Sequence, residues 1–559
     1  MTTSPRSGRV AACALLSLCV LSNSTTSAAE LRVTPPQPTK VEGALLSADR
    51  PAAEVIDHYV DAELKRAKIE PAPTVDDLNL VRRLTLDLAG RMPTPLEVEE
   101  FVTSPASDKR TVLVDRLLAS PEFVDHQVNE FDWMLMQGQG SVRQYLTAAL
   151  DERRSWDRVF HDLLTADADD KALKGAADFL KPRLRDQDRL TNDVSSLFFG
   201  VNISCAQCHD HPLAQDWKQD HFYGLKSFFA RTFENGGFVA ERDYGLVTYQ
   251  TPKGEARQAK LMFLTGRIVD EPQRDEPDGK AKKAEQDLLK QLADKKQPPP
   301  KPKFSRRAAL VETALRSDQR HLLARSIVNR LWHRLLGYGF VMPVDQMHSG
   351  NPASHPELLE WLARDTAGHG FDLARLVRGI VLSRTYARSS RWESSQPRPQ
   401  AKHFAVAQVR PLSPAQYAAS LRIATTDPQL WATLKKPEDR AARARSLAGG
   451  ARSLAGSFAP LVDDFQVGVG ESLMMNNDPR IQAELLADGG DRLVGRLKQI
   501  NDPRLQAETA LRTVLGRPAD PEELQLLTDY LGARRDRSLD GVRQIVWSLV
   551  TGSEFRFNY

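Results

Sequence analysis

Apolar residues recur every three to four positions along most of the chain, and this spacing is typical of amphipathic helices. Before residue 165 the pattern predicts helices over residues 53–68, 77–89, 96–103 and 108–119, with further helices up to residue 164. It returns after residue 306 with helices over residues 320–336, 358–367 and 373–383, and again towards the C-terminus over 505–559. The pattern therefore predicts a mainly α, multi-helical fold.

The helical pattern is interrupted in the middle of the chain. Residues 244–250 and 261–264 are short β-type runs flanked by Gly and Pro, and they predict a small β-hairpin insertion. Residues 270–303 are dense in Asp, Glu and Lys and end in a Pro-rich run, a composition that favours an exposed, partly extended, disordered linker. The sequence thus predicts two helical domains, over 30–236 and 306–559, separated by residues 237–305.

The two ends of the chain share a short sequence pattern. Residues 88–95 (LAGRMPTP) resemble residues 515–521 (LGRPADP), and each run precedes a Glu-rich helix start. Further on, residues 118–123 (LASPEF) resemble residues 550–555 (VTGSEF). We expect the two ends to hold related helix–turn–helix units.

The first 29 residues have the features of a secretory signal peptide. Arg6 and Arg9 precede an apolar core at residues 11–21, and small residues up to Ala29 offer a cleavage site. The apolar core is too short for a stable transmembrane helix, and no later run reaches that length. The sequence predicts an exported protein, periplasmic or secreted, without a transmembrane segment.

Composition narrows the classes of partner. The chain has 559 residues, of which 41% are hydrophobic and 27% charged, which is the range of an ordinary globular protein. Its 76 Lys and Arg nearly balance its 73 Asp and Glu, so the bulk charge indicates neither nucleic acid nor an anionic membrane as partner. The oligomeric state does not follow from the sequence.

A CxxCH run carries the clearest chemistry. Cleavage of the signal peptide removes Cys13 and Cys19, so Cys205 and Cys208 are the cysteines of the mature chain, and His209 follows them. In an exported protein this run is typical of c-type haem attachment, with two thioether bonds and the His as proximal iron ligand. Ser204 is placed to cap the short turn that carries the cysteines.

The surrounding residues leave alternatives open. His221 lies on a predicted helix with Trp217 and several Phe residues, so it could serve as a second axial haem ligand beside an aromatic wall. Cys205 and Cys208 with His209 and either His211 or His221 would also give a Cys₂His₂ set for zinc or another divalent metal. A CxxC disulfide, structural or redox-active, is the third interpretation.

Several ordered motifs connect the chain to a known family. They are, in the first predicted domain, residues 82–90 (RRLTLDLAG), 115–121 (DRLLASP) and 205–212 (CAQCHDHP), and in the second, 328–333 (VNRLWH), 354–359 (SHPELL), 383–386 (SRTY) and 553–558 (SEFRFN). With these motifs the chain resembles planctomycete cytochrome-associated proteins that pair two domains of unknown function, numbers 1549 and 1553. The resemblance implies a cytochrome connection through the CxxCH run but no assigned activity.

The function expected from the sequence is electron transfer or redox chemistry by one covalent haem c, with an exported redox partner. The alternatives are a binding or scaffold protein with a zinc-type site, and a metal-dependent hydrolase. No phosphate-binding loop, nucleophile elbow or zinc-protease motif is present, so the sequence names no catalytic residue.

Overall fold

The computed structural model describes residues 44–166, 170–210, 214, 216–272, 276–458 and 469–559. The fold is mainly α, as predicted, since 58% of the chain is helical and the strands form only two-stranded sheets. The predicted signal peptide lies outside the described residues. None of the helices in the described ranges is long and apolar enough to cross a membrane.

Nine α-helices precede the first hairpin of the described chain. Their ends follow local capping chemistry: the Asp76 side chain accepts the Asn79 N–H at the start of the second helix, and Gly90 ends it with a φ of 70°. The helices are α1 (Ala52–Ala67), α2 (Asp77–Ala89), α3 (Pro95–Thr103), α4 (Lys109–Leu118), α5 (Pro121–Met136), α6 (Arg143–Asp151), α7 (Trp156–Thr165), α8 (Gln187–Phe199) and α9 (Gln219–Phe229).

Two antiparallel hairpins follow, β1 (Thr232–Asn235) with β2 (Phe238–Glu241) and β3 (Thr248–Gln250) with β4 (Ala256–Gln258). The first closes on Gly236 and Gly237, whose φ angles of 59° and 90° suit a two-residue hairpin turn. The prediction of β-hairpin structure in this region is confirmed. The expected pairing of residues 244–250 with residues 261–264 was wrong, because residues 261–264 form no strand. Their apolar side chains are buried in the core instead.

The predicted disordered linker contains a helix, α10 (Gly279–Asp294). The Asp278 side chain accepts the Ala281 N–H at 2.7 Å, and Leu289, 8% exposed, packs inward while the charged residues face solvent. The Asn235 side chain of β1 donates to the Leu289 carbonyl. The expectation of disorder was therefore wrong for this stretch, because a cap and one apolar position suffice to dock a charged helix on the hairpin.

In the described residues after α10, the regular elements are helices and two short strands. The α-helices and strands are α11 (Arg306–Leu315), α12 (His321–Leu336), α13 (Pro356–Gly368), α14 (Leu373–Leu382), β5 (Arg410–Pro411), α15 (Pro414–Ala424), α16 (Pro428–Thr433), α17 (Pro437–Gly450), α18 (Arg452–Ala455), α19 (Val469–Asn477), α20 (Pro479–Glu484), α21 (Leu493–Lys498), α22 (Pro503–Leu515), α23 (Pro521–Gly532), α24 (Ser538–Thr551), α25 (Ser553–Arg556) and β6 (Phe557–Asn558). Strand β6 pairs antiparallel with β5.

The described residues form two hydrophobic cores, and the division between them does not lie at the predicted linker. One core runs from Val55 to Val406 and so includes both sides of the linker. The other runs from Leu412 to Phe555 and also takes in Leu86 and Met92. Helix α2 thus contributes side chains to both cores.

The related ends of the chain have the same local structure, which confirms that prediction. Helices α2 and α22 have 13 residues each and end at Gly90 and Gly516, with φ angles of 70° and 72°. The next residue is an arginine that binds two glutamates: Arg91 binds Glu97 and Glu122, and Arg517 binds Glu523 and Glu554. Each arginine also donates to the carbonyl of the following residue.

Candidate functional site

The CxxCH run lies on a short 3₁₀ turn, Ser204–Gln207, between α8 and α9. The Asn202 side-chain oxygen accepts both the N–H and the hydroxyl of Ser204, at 3.1 and 2.7 Å. The Asn192 side chain of α8 accepts the Ile203 N–H at 3.0 Å. The prediction that Ser204 caps this turn was wrong, because the Asn202 side chain takes that role as an Asx-type turn.

Both cysteines of the run are exposed and free. Cys205 lies within the 3₁₀ turn, and Cys208 directly follows it as the C-terminal cap residue. Ala206 between them is fully buried against the protein. The turn therefore presents two thiols outwards while its small residue packs inwards.

His209 is also exposed, and one of its ring nitrogens is already engaged. Its Nδ1 lies 2.7 Å from the Asp210 carbonyl oxygen. A carbonyl can only accept, so Nδ1 carries the proton and Nε2 of the neutral ring keeps its lone pair. Histidines that bind a metal through one nitrogen characteristically donate the other in this way.

His221 does not join the thiols. Its side chain is fully buried, and its Nδ1 accepts the Lys218 N–H at 3.1 Å, while Nε2 has no hydrogen-bond partner among the described residues. Burial lowers the pKa of His221 to about 4, so the ring is neutral near pH 7. The side chain lies edge-on to Trp217, with ring centroids 5.8 Å apart.

The expected aromatic wall is part of the protein core. Trp217, Leu225, Phe228 and Phe229 are each at most 3% exposed, and they pack with other core side chains. The helical pattern placed these residues on one face of a helix; Trp217 precedes α9 in the structure, and that face is covered by the protein itself. His221 is itself buried on this face, and its role as a second axial ligand stays a prediction.

Two residues that the sequence did not single out hold the motif in place. The Gln219 amide, 6% exposed, donates to the carbonyls of Gln207 and Cys208 at 3.2 and 3.1 Å. The Tyr223 hydroxyl donates to the Gln207 carbonyl at 3.1 Å, and its ring stacks on Tyr249 with centroids 4.2 Å apart. Gln219 and Tyr223 of α9 therefore hold the backbone of the CxxCH turn, although neither residue belongs to a recognisable sequence motif.

The predicted metal set is only partly described. Within the described residues, no group of three or more His, Cys, Asp or Glu side chains is arranged to hold a metal ion. His211 lies outside the described residues, and His221 is buried, whereas both thiols are exposed. The Cys₂His₂ interpretation with His211 stays a prediction.

Two family models match the chain, one on each side of the linker. Residues 55–234 match a protein of unknown function (DUF1549), and residues 306–445 match a protein of unknown function (DUF1553). The order is the one that the sequence motifs indicated. The chain belongs to this two-domain family. The CxxCH turn lies in the first matched region, and the planctomycete origin implied by the resemblance stays a prediction.

The family descriptions assign no activity to either domain. No curated protein and no solved structure gives a significant match to the chain. The function therefore rests on the chemistry of the described side chains. The second match ends at residue 445, so it includes only the first part of the C-terminal hydrophobic core.

Proposed function

We propose that this family member is an exported electron-transfer protein with one c-type haem at the CxxCH turn. Cys205 and Cys208 would form the two thioether bonds, and His209 would bind iron through Nε2. The observation that carries the proposal is the pairing of two exposed free thiols with a histidine whose Nδ1 is held by the Asp210 carbonyl. All three side chains are exposed.

The surroundings fit a surface-bound cofactor better than an enclosed one. The aromatic side chains of α9 are used in the core, so the described residues offer one axial ligand, His209, and a solvent-facing position. A haem with an exposed edge can exchange electrons with an exported redox partner without a conformational change. Solvent exposure is also one of the factors that set a haem potential.

Metal binding is the competing function. The same thiols and His209 would hold zinc if His211 supplied a fourth ligand, as in a structural site of a binding or scaffold protein. A metal-dependent hydrolase would need an open coordination position and a general base beside it.

The test is to produce the protein in a bacterial host that carries the periplasmic haem-attachment machinery. We expect a pyridine haemochrome spectrum, an intact mass increased by one haem, and loss of both in Cys205→Ser with Cys208→Ser. His209→Ala should change the visible spectrum of the product, whereas His369→Ala, at a half-exposed histidine that binds Asp365 on α13, should not.

A protein that carries about one zinc per chain and no haem, as a structural site would, would contradict the proposal in favour of the metal site. A disulfide between Cys205 and Cys208 under the same conditions would contradict both. Elemental analysis and thiol titration on the same sample distinguish these outcomes.

A further inference from the structure

A cavity of about 820 Å³ lies between α5, α12 and the start of α15, away from the CxxCH turn. This volume is within the range of small-molecule sites, roughly 300–1,000 Å³. None of residues 204–209 lines it. Helices α5 and α12 belong to one core and α15 to the other, so the cavity opens where the two cores meet.

Three arginines that line the cavity are bound only to neutral groups. Each donates one terminal nitrogen to an oxygen: Arg143 to the Asn129 side chain at 2.5 Å, Arg330 to the Ser196 carbonyl at 2.5 Å, and Arg334 to the Gln127 side chain at 2.6 Å. None of the three forms an ion pair within the described part of the chain. Their remaining terminal nitrogens have no acceptor there.

The acidic residues that line the same cavity already have donors. Asp87 binds Arg410 through both oxygens and also accepts from Tyr386 and Asn558. Asp132 accepts from the Ser141 hydroxyl and the Val142 N–H. Glu130 accepts from the Ser413 hydroxyl at 3.2 Å.

Four arginines (Arg143, Arg330, Arg334 and Arg410) and three carboxylates (Asp87, Glu130 and Asp132) line the cavity, so these side chains sum to one positive charge. Burial lowers the pKa of Arg330 to about 10, and Asp345 raises it only in part, from beyond ion-pair distance. Burial likewise lowers the pKa of Arg334. Burial lowers the pKa of His126, another lining residue, so it adds no charge near pH 7. Guanidinium groups held this way gain from an anionic ligand that replaces lost water.

One wall of the cavity is apolar and aromatic. Phe131 lies below the Arg334 guanidinium, with 5.6 Å from the arginine carbon to the ring centroid, and its ring, 2% exposed, stacks on Trp156 in the core. Leu331 and Ile327 of α12 also line the cavity, and Trp133 lies at its edge with 53% of its surface exposed. Such a wall suits a flat or apolar ligand body next to a charged head group.

We propose that this cavity binds a small organic oxyanion, with a carboxylate, sulfate or phosphate group at Arg330 and Arg334 and a flat or apolar body against Trp133. The inference is independent of the haem, because no residue of the CxxCH turn takes part. Arginine suits this role because its planar guanidinium donates two parallel hydrogen bonds to an oxyanion.

Calorimetric titration of the full chain with benzenesulfonate tests the proposal, with inorganic sulfate and benzyl alcohol as probes of the head group and the body alone. We expect saturable binding of benzenesulfonate at one site, at least tenfold tighter than either control. Arg330→Gln and Arg334→Gln should each weaken it at least tenfold. The matched control is Arg364→Gln on α13, whose side chain is 68% exposed and binds Glu360 outside the cavity.

A second measurement needs no variant. Phenylglyoxal modifies accessible arginines, and mass spectrometry locates the modified residues. We expect saturating benzenesulfonate to protect Arg330 and Arg334 and to leave Arg364 reactive. Absence of saturable binding, equal affinity for benzyl alcohol, or no protection of these two arginines would overturn the proposal. The Cys205→Ser, Cys208→Ser protein should bind the probe unchanged, so failure of the haem proposal would not affect this result.

Discussion

The duplicated arginine site offers a matched pair of perturbations in one molecule. Arg91 is 1% exposed and binds Glu97 and Glu122, whose side chains are 23% and 7% exposed. Arg517 likewise binds two glutamates, Glu523 and Glu554, but its side chain is 29% exposed. We expect Arg91→Met to destabilise the protein far more than Arg517→Met.

The magnitude follows from what each substitution leaves behind. Without Arg91, the carboxylate of Glu122 stays buried with no counter-charge, and loss of one partner of a buried ion pair costs about 3–5 kcal/mol. Arg517 and its partners stay in contact with water, where such pairs are worth about 0–1 kcal/mol. The two variants should thus differ by roughly 2–5 kcal/mol in the free energy of unfolding.

Urea unfolding followed by far-ultraviolet circular dichroism and by tryptophan fluorescence measures this difference. Because two cores need not unfold together, the first transition seen by both probes is the one to compare. Adding Glu97→Gln and Glu122→Gln to Arg91→Met should recover much of the loss, since no buried charge then lacks a partner. Equal destabilisation by Arg91→Met and Arg517→Met, or no recovery in the triple variant, would refute the reasoning.

The pH dependence gives an independent check on the same site. Burial alone would raise the pKa of Glu97, but Arg91 outweighs it and lowers that pKa to about 2. The folded pKa is thus below the unfolded value of about 4.3, so this stabilisation is present above about pH 4.3 and is lost as the pH falls towards 2. The difference between wild type and Arg91→Met should narrow over that range, and a constant difference would contradict the assignment.

Three further changes test other contacts. Gln219→Leu should lower the yield of haem attachment without unfolding the chain, because the carbonyls of the motif lose their shared donor; a haemochrome assay and circular dichroism measure the two effects. His221→Phe should keep the haem spectrum and flatten the stability profile between about pH 6.5 and 4, since the pKa of buried His221 is lowered to about 4 and the unfolded chain binds that proton first. Removal of residues 557–559 should lower the melting temperature, because Arg82 and Arg83 donate to the carbonyls of Phe557 and Tyr559.

Local helical structure was largely accessible from the sequence. The period of apolar residues located α2 with the same bounds, 77–89, and Thr94 caps α3 with Glu97 as its reciprocal partner, as that spacing predicts. The helix in the linker was missed because its composition is charged and only Leu289 is well buried. Composition indicates the average exposure of a segment, but it does not indicate a single buried contact such as that of Leu289.

The sequence predicted which residues form the candidate site, but not the contacts that surround them. Spacing placed Cys205, Cys208 and His209 together, and the structure exposes all three. The sequence pattern did not indicate that the apolar face of α9 is covered, because such a pattern shows which side of a helix is apolar and not what packs on it. Gln219 had no signal at all, since its role depends on the distance from its amide to two carbonyls of the turn.

The two cores explain why the two proposed sites can be tested separately. The CxxCH turn is held by α8 and α9 within the first core, through Asn192 and Gln219. The cavity lies where the cores meet, and Arg410 and Asp87 of α2, which bind each other, line it. Because these contacts share no residue, substitutions at one site should leave the other unchanged, as independent sites do when no partner is common to both. A change in anion affinity on haem attachment would show instead that α8, which contacts α12 through Ser196 and Arg330, couples the two.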